Sequence, residues 1–258
     1  MVTMITMGGL IILLYMVLLW LVSLLLKNSS IIDIFWGLGF VIVSWFYYSQ
    51  SGFPLRGRSF LINLLVTIWG LRLSIYILWR NWGKPEDFRY QKWRNEAGKS
   101  WWWKSFFKVF LLQGLLMWFI SMPLFAAHLQ NTTMNWLDMV GTLIWGIGFL
   151  FESVGDLQLA RFKADPANRG KVLDYGVWKY TRHPNYFGDA AQWWGYFLIA
   201  LAAGGWWTIF SPVIMTYLLL KISGVKLLEV TLQDTKPAYR EYIKKTSAFF
   251  PLPPRRKE

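Results

Sequence analysis

Gly8 to Leu26 is an almost unbroken apolar run, long enough at about 1.5 Å per residue to cross a bilayer as one helix. Six further apolar runs follow, roughly Ile31–Tyr48, Phe60–Trp79, Phe106–Phe125, Trp136–Phe151, Tyr186–Ala203 and Trp206–Ile222. Together they predict an all-α, polytopic membrane protein of about seven transmembrane helices, forming a single integral membrane domain over 1–258. The chain is 55% apolar yet carries a formal net charge of +13, so very hydrophobic stretches must alternate with very basic ones. Trp20, Trp45, Trp79, Trp136 and Trp206 stand at span ends, where an apolar body with a polar tip suits headgroup depth. The first run is expected to remain as a span. No basic region precedes it, and Lys27-Asn28-Ser29-Ser30 is not a small-x-small cleavage site. The sequence contains no Cys, which excludes disulfides, thiol catalysis and thiolate metal sites. No metal ligand set is read, and nothing points to nucleic acid.

Basic residues are distributed unevenly between the connections. Arg80, Lys84, Arg89, Lys92, Arg94, Lys99, Lys104 and Lys108 crowd the third, and Arg161, Lys163, Arg169, Lys171, Lys179 and Arg182 the fifth. The tail carries Lys236, Arg240, Lys244, Lys245, Arg255, Arg256 and Lys257, whereas the fourth connection, His128 to Asn135, has no Lys or Arg. The positive-inside rule places the third and fifth connections and the tail in the cytoplasm and the N-terminus outside, with membrane lipids as neighbours. Arg56 and Arg58, in the second connection, run against this assignment.

A charge inside a span is costly and calls for an explanation. Asp33 opens the second span, where it can cap a helix N-terminus. Arg72 lies well inside the third, too deep for snorkelling alone, and calls for a buried partner or a polar cavity. Glu152 and Asp156 end the fifth and project from one helical face, where like charges repel unless something cationic or hydroxyl-bearing, such as a ribose, lies between them. The loop from Arg161 to Arg182, which includes Tyr175, suits an acidic headgroup or the phosphates of a dinucleotide. Pro184 can occupy the first turn of the following helix, from which Asn185, Tyr186 and Asp189 project into the same region. His183, set among them, admits both a structural and a catalytic reading.

Gly155-Asp156-Leu157-Gln158-Leu159, Arg161-Phe162-Lys163, Asn168-Arg169-Gly170-Lys171 and the run Gly176 to Asp189, containing Arg182-His183-Pro184-Asn185-Tyr186, together resemble the C-terminal domain of the steroid 5-alpha-reductase family over 106–258. More closely they resemble its bacterial branch, the DUF1295 proteins. Asp33-Ile34-Phe35-Trp36-Gly37 and Asn81 to Tyr90 also look like that branch. The resemblance implies a seven-helix fold that binds NADPH from the cytosolic side and reduces a carbon–carbon double bond conjugated to a ketone in a lipophilic small molecule. It implies a location in the bacterial inner membrane. By the same resemblance Glu152 and Asp156 match positions near the adenosine and ribose, and Lys163 and Lys171, with Arg169 and Tyr175 in the same loop, match the phosphate region. Asn185, with Arg182, His183, Tyr186 and Asp189 around it, matches the block facing the cofactor, and Arg72 with Tyr76 resembles an Arg–Tyr pair bordering it.

The steroid enzymes hold the ketone with a Glu from the second helix and a Tyr three residues before the helical Arg. Trp69 stands at that Tyr position, and Asp33 is the nearest acid. Charge building on the carbonyl oxygen needs a donor, for which Asp33 kept protonated by apolar surroundings, Trp69 or Tyr76 are the candidates. Isoprenylcysteine carboxyl methyltransferases share the Arg-His-Pro-x-Tyr block and an acidic residue near a C-terminal Leu, echoed by Glu229 and Leu232, but use S-adenosylmethionine. A third reading is a lipid-binding protein without catalysis.

The charge distribution yields a topology prediction. Single cysteines placed by Lys92→Cys, Lys171→Cys and Lys245→Cys should be labelled only from the cytoplasmic side; labelling of position 171 from outside would contradict the assignment.

Overall fold

The structure is a computed structural model and describes residues 2–129, 133–222, 229, 232 and 236–255. Three single helices come first: α1 Val2–Leu26, α2 Ile31–Gln50 and α3 Arg58–Asn81. A long apolar stretch from Phe88 to His128 is assembled from α4 Phe88–Ala97, a 3-10 turn, α5 Trp101–Ser105, a π-helical segment Phe106–Leu111, α6 Leu112–Ile120 and α7 Met122–His128. Then come α8 Trp136–Ala164, α9 Pro184–Ala202, α10 Phe210–Tyr217 and α11 Ala238–Lys245. No strand occurs among the described residues. Residues 130–132 of the expected fourth connection, and Arg256 and Lys257 of the basic tail, lie outside those described.

Among the described residues five helical stretches are long and apolar enough to cross a membrane: α1, α2, α3, Phe88–His128 and α8. Seven were expected. The sixth expected span is α9, whose Asn185, Asp189 and Gln192 lower its hydropathy. The seventh is divided into a 3-10 turn Trp206–Ile209, α10 and a π-helical Leu218–Ile222. The fourth span begins well before Phe106, and the fifth runs beyond Phe151 to Ala164.

The fold divides into two compact units: Met1–Met134 with Ala200–Thr208, and Asn135–Ile199 with Ile209–Glu258. In the first unit α2 and α3 cross at Gly37 and Gly70. A Cβ on Gly37 would stand 2.5 Å from the Gly70 carbonyl oxygen, so only glycine permits this approach. Lipid tails are as apolar as leucine, so helices in a bilayer associate through close packing of small residues rather than through exclusion of water. Arg58 belongs to α3 and not to a loop. It is buried and donates from Nη2 to the Thr133 carbonyl at 3.0 Å, so a structural bond accounts for one of the two cations that ran against the topology.

The second unit is built on a glycine seam. Gly141, Gly148 and Gly155 recur every seven residues on α8, close to two helical turns, and so share one face. A Cβ on Gly141 would meet the Gly195 carbonyl oxygen at 2.8 Å, one on Gly148 that of Gly188 at 2.5 Å, and one on Gly155 the Pro184 ring at 3.1 Å. The seam therefore holds α9 antiparallel against α8 along its length. Beyond α8 the basic loop folds over a small apolar cluster of Phe162, Leu173 and Trp178, with the Trp178 indole donating to the Gly155 carbonyl at 3.1 Å. The C-terminal segment clasps the same region. Arg182 N–H donates to the Ser247 carbonyl at 2.9 Å, the Thr181 hydroxyl to that of Phe249 at 2.8 Å, and Leu252 N–H to that of Tyr180 at 3.0 Å.

The seam supplies its own test. Gly188→Ala places a Cβ 2.4 Å from the Gly148 carbonyl oxygen and is expected to destabilise by about 1–3 kcal/mol, the usual cost of overpacking, read as a lower thermal midpoint in detergent. Gly146→Ala on α8 meets nothing within 4 Å and should be neutral or slightly stabilising. Equal midpoints for the two variants would contradict the packing described.

Candidate functional site

The glycine contact brings polar side chains of α8 and α9 into register. Gln192 donates to Glu152 Oε2 at 2.6 Å, and Asn185 Nδ2 donates to Asp156 Oδ1 at 3.2 Å. Both carboxylates are buried, and both lie within α8 rather than at its end. They share a face, as their spacing requires, and carboxamides from α9 stand where a ribose was expected. Asp189, one turn beyond Asn185, is half-buried. The chemistry this seam offers is hydrogen-bond acceptance by two acids, with an amide at the half-exposed end.

Arg182 and His183 precede α9 and turn inward. Arg182 Nε donates to Glu229 Oε1 at 2.7 Å, and His183 Nε2 lies 3.2 Å from the same oxygen. The Arg182 guanidinium also donates to the carbonyls of Ile243, at 3.3 Å, and Thr246, and so caps the C-terminal end of α11, where the helix dipole favours a cation. Tyr186 stacks on the His183 ring at 5.6 Å and 8°. Arg182 and His183, both expected near the cofactor, are 7% and 3% exposed and fasten the loop to Glu229 and α11. Glu229, also expected to bind cofactor, is committed to the same fastening. Burial alone would raise its pKa, but the bonds from His183 and Arg182 outweigh that and hold it at about 2.

The remaining cations stay outside. Lys163, Arg169, Lys171 and Tyr175 are exposed. Lys171 reaches a cleft of about 520 Å³ formed with Lys179 of the same loop and with Glu241, Tyr242 and Lys245 of α11. The Tyr242 hydroxyl donates to the Trp178 carbonyl and ties the two walls together. Lys179 and Lys245 were not singled out from sequence, because nothing local reports that α11 returns to this loop. Gln192 was also missed, although it lies on the α9 face of Asn185 and Gly188, four residues beyond the glycine.

Asp33, Trp69, Arg72 and Tyr76 belong to the first unit. Asp33 sits in the first turn of α2, with Ser30 at the N-cap position. Its Oδ2 accepts from Arg89 at 3.1 Å and its Oδ1 from the Tyr90 hydroxyl at 2.7 Å, and Gln113 in turn donates to Tyr90 at 3.2 Å. Asp33 thus stands in a hydrogen-bonded cluster with Arg89, Tyr90 and Gln113. Asp87, beside it in the loop, is held below the usual carboxylate range: burial would raise it, but hydrogen bonds from Arg89 prevail. Trp69 has no exposed surface and packs against Phe40, with ring centroids 5.7 Å apart. The Arg72 guanidinium lies 5.2 Å from the Tyr76 ring centre and that of Arg80 lies 5.6 Å away, so the partner that Arg72 called for includes an aromatic face. A second network, in which Arg94 Nε donates to Glu86 at 2.8 Å and the Trp101 indole to the Ser29 hydroxyl at 3.2 Å, was not expected.

A sequence profile described as protein of unknown function, DUF1295, matches residues 19–246. The match covers most of both units, and the chain belongs to the DUF1295 family. No curated protein and no solved structure matches it.

The fastening predicts a pH dependence. Because the Glu229 pKa is lowered from 4.5 to about 2 in the fold, its contribution to stability is complete above the ordinary value and is lost as pH falls toward the lower one. Glu229→Gln is expected to lower the thermal midpoint at neutral pH and to flatten its decline between about pH 5 and pH 2. An unaltered acid slope would contradict the assignment.

Proposed function

We propose that this protein is a membrane-embedded, NADPH-dependent reductase of a conjugated carbon–carbon double bond in a lipophilic, steroid- or isoprenoid-like enone, related to the steroid 5-alpha-reductases. Its nucleotide site faces the cytoplasm across the bacterial inner membrane. The observation that carries this reading is the Asn185–Asp156 hydrogen bond at 3.2 Å. Two separate motifs of the sequence resemblance assign these residues to one cofactor, and the fold sets them side by side.

The donor set suits the group. Exposed Lys163, Arg169 and Lys171 match phosphates in charge, and Asp156 with Asn185 can accept from hydroxyls and bond to an amide. NADPH, when bound, supplies a hydride to the electron-poor carbon of the enone. Asn185 and Asp156 orient the ligand, exchanging part of their mutual bond for bonds to it. The loop cations attract it from the aqueous side. In the first unit Tyr76, with the Arg72 and Arg80 guanidinium groups beside its ring, carries a hydroxyl that can donate to a carbonyl oxygen.

A methyltransferase reading draws on Glu229. The acid near Leu232 is bonded to the Arg-His-Pro block, the feature that the isoprenylcysteine carboxyl methyltransferases share. The density of loop cations favours a phosphate-rich dinucleotide over S-adenosylmethionine, which has no phosphate.

NADPH should bind about 10- to 100-fold more tightly than NADH, the effect of charge-assisted contacts worth about 1.5–3 kcal/mol. Asn185→Ala and Asp156→Ala should each weaken NADPH binding by about 1–3 kcal/mol, measured on the folded fraction because Asn185→Ala also takes a donor from buried Asp156. Saturable binding of S-adenosylmethionine that is lost in the same variants, while NADPH is ignored, would replace this reading with the alternative.

A further inference from the structure

We infer that the cleft between the 170–179 loop and α11 is a phosphate-binding site held by Lys171, Lys179 and Lys245. The inference deepens the reductase reading, on which it rests only for the identity of the ligand. Three lysines from two distant parts of the chain line one concavity of about 520 Å³, within the size range of small-molecule sites. The acids in the same lining are Asp174 and Glu241, and Glu241 already pairs with Lys244 at 2.7 Å. Lys236 adds a further cation beside the cleft, its Nζ donating to the Lys171 carbonyl at 2.6 Å.

Like charges gathered in a cleft repel one another, and a multiply charged oxyanion relieves that repulsion while accepting several ammonium hydrogen bonds at once. The walls are already set. Tyr242 ties α11 to the loop, and Arg182 caps the α11 carbonyls that would otherwise present negative ends beside the site. Gly170 turns the loop with φ +80°, in the left-handed region, and leaves open space where a side chain would project. The backbone rim is thus accessible to a ligand. The shared chemistry is a phosphate group, whether on a soluble nucleotide or on an anionic lipid whose headgroup lies at the same membrane face.

The test uses the full chain in nanodiscs of phosphatidylcholine, with and without phosphatidylglycerol, titrated with inorganic pyrophosphate and adenosine 2′,5′-bisphosphate. Parent protein is compared with Lys179→Ala/Lys245→Ala and Lys179→Arg/Lys245→Arg. The parent should bind saturably, the alanine variant about 10-fold or more weakly, and the arginine variant nearly as well as the parent. Competition by phosphatidylglycerol would identify the lipid as the source of the phosphate; its absence would identify a soluble ester. No saturable binding by the parent, or equal binding by the alanine variant, overturns the site. Pyrophosphate and NADPH binding that both survive the alanine variant unchanged overturn this site while leaving the reductase reading intact. Pyrophosphate binding lost in that variant, in a protein that ignores NADPH, does the reverse.

Discussion

Two carboxylates buried between apolar helices must find donors within the chain, and in the second unit the arrangement depends on how Glu152 and Asp156 do so. Leaving such a group unpaired costs about 1–3 kcal/mol, and more when it is charged. Gln192 and Asn185 meet the requirement only because α8 and α9 approach to backbone contact at Gly148 and Gly188. A single methyl in that contact separates the helices and strands the acids. The glycine spacing and the polar pairs are two sides of one packing solution, in which small residues permit the approach and the approach permits the bonds.

That contact also fixes where α9 begins. Pro184 rests against Gly155, so Arg182 and His183 just before it face inward and meet Glu229. The loop that would otherwise hang from α8 is thereby pinned at both ends: Trp178 donates to Gly155, and the C-terminal segment lies along Tyr180 to Arg182. With Arg182 and His183 engaged in this fastening, Asn185 and the exposed lysines are polar groups of the region that still face outward. The first unit solves the same problem with different parts, setting Asp33 against Arg89 and Tyr90 and closing α2 on α3 through Gly37 and Gly70.

Much of this was legible in the sequence, and the gaps have physical causes. α1, α2 and α3 announce themselves through apolar runs whose ends fall within a few residues of the helices, apart from α1, which starts earlier than Gly8. α8 was cut short because Glu152, Asp156, Gln158, Arg161 and Lys163 break the apolar pattern, whereas a helix leaving the membrane keeps its backbone bonds in any solvent. α4 was read as a loop for the same reason: Arg89, Lys92 and Arg94 mask a helix whose Tyr90 face is buried. The proximity of Asp156 and Asn185 agrees with the family resemblance, which put their two motifs near one another. The roles of Arg182, His183 and Glu229 were not, because whether a guanidinium faces ligand or carboxylate depends on a segment far along the chain. The convergence of Lys179 and Lys245 on one cleft stayed invisible for that reason too. Trp69 was chosen for its place in a family pattern, which says nothing of the burial of its side chain.

The central functional claim is that the basic loop and the Asn185 block serve a nicotinamide dinucleotide carrying an extra phosphate. Purifying the full-length protein in mild detergent, denaturing it and identifying the released nucleotide by mass spectrometry tests that claim most directly. NADP(H), retained through purification, is the expected result. Release of S-adenosylmethionine or its demethylated product in its place would contradict it, as would a nucleotide-free protein that also fails to bind added NADPH.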